Sequence, residues 1–141
     1  MYLEKAGALP ASPEAGPKWC GMFVYWCYTE AAKRSGKVNP LPTAVFGGTD
    51  FKAWASRNPA CIVWTSSKPN PKLEPGDVFV AAEDGHVGMV VSSTDRNTGS
   101  FISIEGNQTA PTRPDWGTHG IRIKPTKALR NCSMIVRPPS R

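Results

Sequence analysis

The sequence predicts an α+β fold in which a buried N-terminal helix packs on a mostly antiparallel sheet of five to six strands. Two observations support this prediction. The longest apolar run lies at residues 19–28, and from residue 77 onward hydrophobic residues alternate with a period of two. One long helix followed by a run of strands is typical of the α+β class. The 141 residues predict a single domain, 1–141, in which we expect residues 1–16 to be poorly structured.

The long helix is predicted over residues 18–35. Pro17 stands where the start of a helix tolerates proline, and Gly36 stands where the end of a helix favours glycine. The segment is apolar on nearly every side before Glu30, so we expect this helix to be buried.

Residues 37–75 carry weaker signals. A short helix is predicted over residues 50–58, capped by Thr49 or Asp50, and residues 61–67 are consistent with a short strand. The following segment, SKPNPKLEPGD, predicts a turn-rich connection.

The second half of the chain predicts a series of strands. Residues 94–99 are expected to form a hairpin loop between the second and the third of them. The five strand segments are DVFVA, HVGMVVSS, FISIEG, GIRIK and SMIVR.

This hairpin groups polar side chains on one face of the sheet. If its strands pair symmetrically about Arg96 and Asn97, His86 lies opposite Asn107. Alternation then separates a polar face from an apolar face, and a slip of one residue would destroy the grouping. The polar face holds His86, Gly88, Val90, Ser103, Glu105 and Asn107, and the apolar face holds Val87, Met89, Val91, Ile102 and Ile104.

Cys20 falls in the first turn of the long helix. Unpaired N–H groups and the helix dipole concentrate positive potential there, which favours a thiolate, the nucleophilic form of cysteine. On position alone an ordinary core cysteine is the stronger interpretation, and it is stronger still for Cys27, which lies deep in the helix.

A thiol at a helix N-terminus and a histidine oriented by a carboxylate or amide are the groups that acyl transfer needs. The histidine takes the thiol proton and later donates a proton to the leaving amine. A third polar group holds the imidazole in the correct tautomer. The sequence provides Cys20 and His86, with Glu105 and Asn107 as orienting groups.

Three segments resemble the CHAP family, the cysteine- and histidine-dependent amidohydrolases and peptidases. PKWCGMFVYWCYTEAAKRSG is similar to the family's nucleophile helix, which typically reads W-C-x-x-F-V-x-W. EPGDVFVAAEDGHVGMVVSS is similar to its P-G-D strand followed by its G-H-V-G histidine strand. FISIEGNQT is similar to its third segment, an apolar strand that ends in E-G-N. The segments occur in family order and span residues 18–109.

The resemblance implies a papain-like CHAP fold of the NlpC/P60 superfamily and a thiol mechanism. It implies Cys20 as nucleophile, His86 as general base and acid, Glu105 as the group that orients His86, and Asn107 as a further polar member. The implied substrate is peptidoglycan, cut at the N-acetylmuramoyl-L-alanine amide or within the stem or cross-bridge peptide. Some relatives cleave glutathionylspermidine amides instead.

Substrate contacts are expected from Trp19, Gly85 and Trp116. For Trp116 taken alone, packing in or near the core is the stronger interpretation. His119 is most simply a solvated loop residue, and it is the second candidate base if His86 proves remote from Cys20.

The formal charge of +6 is concentrated at the C-terminal end. Residues 113–141 hold seven basic side chains and one acidic one, whereas residues 1–112 hold ten of each. We interpret this excess as a surface that keeps the enzyme near an anionic wall polymer, apart from the catalytic residues. A nucleic-acid partner is not expected, because the chain has no basic helix and no recognised binding motif. A non-catalytic cell-wall-binding module of the same fold is the alternative function.

No metal site and no cofactor are expected. No pair of cysteines has C-x-x-C spacing, and neither histidine is close to a cysteine in the sequence. One disulfide among Cys27, Cys61 and Cys132 remains an option.

We expect a monomer that acts at the bacterial cell wall, in the periplasm or outside the cell. The N-terminal residues show no basic region followed by an apolar stretch. The longest apolar run is shorter than the roughly 20 residues of a membrane-spanning helix. Export by a holin or a dedicated secretion system is therefore expected. An immunity or inhibitor protein would be a partner if the protein is a delivered toxin.

Overall fold

The computed structural model describes residues 20–42, 47–65, 70–82, 85–108 and 120–139. These residues form two α-helices, α1 (Cys20–Ser35) and α2 (Gly48–Arg57). A short 3₁₀ helix, Leu129–Asn131, separates the last two strands. The strands are β1 (Ile62–Thr65), β2 (Val78–Ala81), β3 (Val87–Asp95), β4 (Ser100–Gln108), β5 (Gly120–Ala128) and β6 (Cys132–Arg137).

The six described strands form one sheet in the order β1-β6-β2-β3-β4-β5. Every neighbouring pair in it is antiparallel. The predicted α+β class and the mostly antiparallel sheet are therefore confirmed, and the strand segments expected from the sequence each lie within or overlap an observed strand.

Apolar side chains pack on both faces of this sheet. Val78 and Val80 belong to a cluster that includes the first turns of α1 and part of α2. Phe79, between them, belongs to a second cluster with Phe101 and Ile135. Because successive side chains of a strand point to opposite faces, the two clusters mark a helix-covered face and an opposite face.

Helix α1 is less buried than its sequence predicts. Burial is complete over Cys20–Val24, and the following residues are half-buried and then exposed. The helix packs most tightly over its first turns, and further along Tyr25, Cys27 and Tyr28 still pack, partly buried, against the same cluster. Among the described residues, no helix is long and apolar enough to cross a bilayer.

The expected cap of the second helix is wrong. Helix α2 begins at Gly48, and its N-cap is Gly47, which makes no side-chain capping hydrogen bond. The helix starts two residues earlier than predicted, so Thr49 and Asp50 lie inside its first turn. None of the four cysteines, all of which the structure describes, forms a disulfide.

Candidate active site

Cys20 is the first residue of α1, so its backbone N–H is one of those that have no acceptor within the helix itself. The residue is 1% exposed. Its Sγ lies 4.0 Å from the carbonyl oxygen of Gly85, in the connection between β2 and β3. The start of α1 and the open end of the β3–β4 hairpin therefore meet at this point.

His86 stands directly before β3, and its backbone is held in place. Its carbonyl accepts a hydrogen bond from the Ala81 N–H at 2.9 Å. Its Nε2 donates to Glu105 Oε2 at 2.7 Å, and its side chain also hydrogen-bonds with Cys20. Since Nε2 faces the carboxylate, Nδ1 is the ring nitrogen that serves the thiol. The structure thus brings Cys20, His86 and Glu105 into one chain of contacts, which we call the triad.

The hairpin register explains this grouping. Met89 pairs with Ile104 and Val90 with Ser103, which is the symmetry that the sequence predicts for this end of the hairpin. The register shifts only nearer the loop, after Val90. Glu105 and Ser103 therefore share a face with Gly88, and that face is opposite to the one that packs on the helices.

Gly88 leaves the space in which Glu105 lies. A Cβ at this position would come within 2.6 Å of the Phe79 ring and within 2.9 Å of Glu105 Cγ. The Phe79 ring in turn lies beside the His86 ring, with centroids 6.3 Å apart. Any larger residue at Gly88 would displace one of these groups.

Glu105 is fully buried, and both of its oxygens are occupied. Oε1 accepts from Ser103 Oγ at 2.7 Å and from Lys127 Nζ at 3.2 Å. Oε2 accepts from His86 at 2.7 Å and from Lys124 Nζ at 3.1 Å. A carboxylate has about four lone-pair sites, so these four donors satisfy it.

Lys124 and Lys127, which we call the lysine pair, were not identified from the sequence. They belong to the basic C-terminal segment, so the prediction that its charge lies apart from the catalytic residues is wrong for these two. Ser103 pairs with Lys124 and Phe101 with Lys127, with a bulge between them that brings both lysines to one face. Pro125 between them was the available signal, because proline inside a strand often marks a bulge.

Burial and hydrogen bonding have opposite effects on the pKa values of His86 and Glu105. Burial by itself lowers the pKa of His86, but hydrogen bonds and electrostatic interaction with Cys20 and Glu105 outweigh it and raise that pKa to about 9. Burial likewise raises the pKa of Glu105, but His86, Ser103 and the lysine pair hold it well below its usual range. An imidazolium beside an ionised carboxylate is therefore the favoured state at neutral pH.

The other candidate residues are only partly described. The backbone of Asn107 lies in β4, next to the pair of Glu105 with Arg122, but its side chain is outside the described part. Trp19, Trp116 and His119 also lie outside the described residues. Cys27 is half-buried against the helix-covered core and is not part of its fully buried interior, and burial raises the pKa of its thiol to about 11. Within the described ranges, no three His, Cys, Asp or Glu side chains cluster so as to hold a metal ion.

Comparison with known families agrees with this geometry. The family model described as CHAP domain matches residues 12–107, which is more than half of the chain and contains all three triad residues. No curated protein matches the chain. The match also covers the nucleophile helix, the histidine strand and the E-G-N strand end. The chain therefore belongs to the CHAP domain family.

Proposed function

We propose that this protein is a peptidoglycan hydrolase that cleaves an amide bond by a Cys–His–Glu thiol mechanism. The observation that carries the proposal is the continuous contact from Cys20 through His86 to Glu105. Membership of a family of peptidoglycan-related amidases and peptidases supports the substrate class. We further propose that the protein acts at the bacterial cell wall, as a monomer and without a cofactor.

The chemistry runs through an acyl-enzyme. His86 takes the proton of the Cys20 thiol, and the thiolate attacks the carbonyl carbon of the amide. The C–N bond breaks as the His86 imidazolium donates its proton to the leaving amine. Water then attacks the thioester, gives a proton to His86, and releases the carboxylic acid and the Cys20 thiol. The backbone N–H of Cys20, at the helix start, is suited to stabilise the oxyanion in both steps.

The exposures of the triad residues indicate the side from which the substrate approaches. Glu105 is wholly buried and Cys20 is nearly so, whereas the His86 side chain is 15% exposed. His86 is therefore the part of the triad that reaches solvent. We propose that the scissile amide enters beside His86 and Gly85, and that Trp19 and Trp116 add substrate contacts. We further propose Asn107 as an additional polar member of the catalytic site.

The first test is digestion of purified peptidoglycan by the wild type, Cys20→Ala and His86→Ala. Each variant is expected to lose about a thousandfold or more of the rate, because neither residue can be replaced in the acyl transfer. Cys61→Ala is the matched control, since this thiol lies outside the triad, and it should retain the parent rate. Circular dichroism checks that each variant is folded.

The products decide which bond is cut. Mass spectrometry of the new termini distinguishes a free lactyl carboxylate on the sugar, which marks an amidase, from a new peptide terminus, which marks an endopeptidase. Near-parent activity in folded Cys20→Ala would contradict the mechanism. Wall binding by the wild type without new termini would favour the non-catalytic wall-binding module.

A further inference from the structure

We propose that Lys127, assisted by Lys124, is a positioning residue that keeps Glu105 Oε2 directed at His86 and thereby keeps the Cys20–His86 pair reactive. This inference rests on the proposed thiol mechanism. It assigns a role to two side chains that neither touch the thiol nor belong to the triad.

The first argument is the division of contacts between the two carboxylate oxygens. Lys127 and Ser103 hold Oε1, while Lys124 shares Oε2 with His86. A carboxylate held only by His86 and Ser103 would have a single hydrogen bond on each oxygen to oppose rotation about its Cγ–Cδ bond. With a cation on each oxygen, rotation breaks at least one charge-assisted hydrogen bond, and these are the stronger class.

The second argument concerns burial. Glu105 has no exposed surface, and the Lys127 side chain is only 13% exposed. The Lys127 ammonium also lies 4.8 Å from the centroid of the Phe79 ring, which packs beside His86. Lys127 therefore contacts two of the groups that border the imidazole, the carboxylate and the aromatic ring.

The third argument is electrostatic. The charged and titratable groups that meet here are Cys20 from α1, His86 from the start of β3, Glu105 from β4, and the lysine pair from β5. Two ammonium groups face one carboxylate, so the carboxylate stays ionised where a lone buried one would tend to take up a proton. An ionised Glu105 accepts the hydrogen bond from Nε2–H, which leaves Nδ1 for the thiol.

The test measures Cys20 reactivity directly, without a wall substrate. The alkylation rate of Cys20 by iodoacetamide is followed by mass spectrometry of its peptide from pH 4 to 9 in the full chain. Lys127→Met removes the charge and keeps the length of the side chain, and Lys127→Arg keeps the charge. Lys72→Met, at an exposed lysine away from the triad, is the matched control.

Lys127→Met is expected to lower the Cys20 alkylation rate at neutral pH about tenfold. This factor corresponds to the loss of one hydrogen bond to a charged group. The decrease of the Cys20 alkylation rate on acidification should begin at a higher pH in Lys127→Met than in the wild type, because Glu105 then takes up a proton more easily. Lys127→Arg should restore most of the rate, and Lys72→Met should match the wild type. A double variant, Lys124→Met with Lys127→Met, should lose more than either single variant.

Thermal unfolding separates this role from simple stabilisation. If Lys127→Met is folded at the assay temperature and keeps the wild-type alkylation profile, the positioning role is wrong. If Lys127→Met unfolds, Lys124→Met gives the same test at the more exposed lysine, and an unchanged profile there would equally overturn the proposal. Absence of peptidoglycan cleavage by the wild type would instead contradict the proposed function, whatever the alkylation result.

Discussion

At the scale of single residues, the site depends on one buried carboxylate and on the glycine that makes room for it. Glu105 is fully buried yet ionised because four donors surround it. Gly88, on the neighbouring strand, is the position from which any side chain would strike both Glu105 and Phe79. Gly88 therefore leaves the space that the Glu105 side chain occupies, and the four donors hold its carboxylate in place.

Substitution of Gly88 by alanine tests the space argument. The added methyl group would meet the Phe79 ring at 2.6 Å, so we expect a loss of stability of about 1–3 kcal/mol, the usual cost of overpacking. The rate of Cys20 alkylation should fall as well, because Glu105 must shift. Urea denaturation and thiol labelling measure the two effects.

The control for Gly88→Ala is a double variant that also carries Phe79→Leu. Leucine removes the ring atoms nearest to the new methyl group. The double variant should therefore be destabilised by less than the sum of the two single variants. If the losses of stability in the two single variants add up to that of the double variant, the clash with Phe79 is not the cause of the loss in Gly88→Ala.

At the scale of elements, a β-bulge shapes the site, and an ion pair joins two neighbouring strands of the same sheet. The bulge in β5 brings both lysines to the face of Glu105. On the far side of the sheet's centre, Arg137 at the end of β6 binds Asp77 just before β2. Both contacts join segments that are far apart in the sequence, and both bury a carboxylate.

The Asp77–Arg137 pair is expected to contribute to stability and not to chemistry. Arg137 donates from Nε at 2.7 Å and from Nη2 at 2.8 Å to the two oxygens of Asp77, which is 1% exposed. The Glu74 N–H also donates to Asp77, as expected for a carboxylate that caps the P-G-D turn. Arg137→Leu should cost about 3 kcal/mol, because it leaves a buried carboxylate without its cation.

Urea denaturation measures that loss, and a double-variant cycle with Asp77→Asn is its control. The double variant should lose less than the sum of the single variants, since neither charge is then left alone. Cys20 alkylation should be unchanged in folded Arg137→Leu. A change in alkylation as large as that of Lys127→Met would mean that the two buried carboxylates are coupled.

At the scale of the whole molecule, the basic excess of the C-terminal segment is partly internal. Of the seven basic residues in 113–141, Lys124 and Lys127 bind Glu105, and Arg137 binds Asp77. Arg130 is exposed, and the side chains of the remaining three are outside the described part. The basic charge that is left for the expected wall-binding surface is therefore smaller than the sequence indicates.

The pH dependence of stability should follow the triad. The pKa of His86, raised from 6.5 to about 9, adds stability that is fully present below pH 6.5 and is lost as the pH rises through 9. The lowered pKa of Glu105 adds stability that is present above its ordinary value of 4.5 and is lost on acidification below it. Stability should therefore be greatest between about pH 5 and 6.5.

Thermal unfolding at pH 3, 6 and 9 measures this profile. In His86→Gln the decrease of Tm between pH 6 and 9 should become smaller, because the titrating imidazole is gone. If Tm falls as much between pH 6 and 9 in His86→Gln as in the wild type, another group is responsible for the loss of stability at alkaline pH.

The sequence by itself determined the α+β class, the nucleophile helix, the histidine hairpin and the family. Each depends on local periodicity or on short motifs, such as the W-C and G-H-V-G segments, that can be recognised without knowing the fold. The register that brings His86 to Glu105 was also predictable, because alternation along two strands joined by a short loop leaves few choices.

Only the tertiary structure decided which charges complete the site. Lys124 and Lys127 lie about twenty residues after Glu105, on the neighbouring strand. Both reach Glu105 because a bulge in that strand turns both side chains to the same face of the sheet, and the bulge is visible only in the strand pairing. The same is true of Arg137 and Asp77, which are separated by 60 residues. The sequence shows where the basic residues lie along the chain. Which of them bind a buried carboxylate depends on distances between side chains, and these distances exist only in the folded molecule.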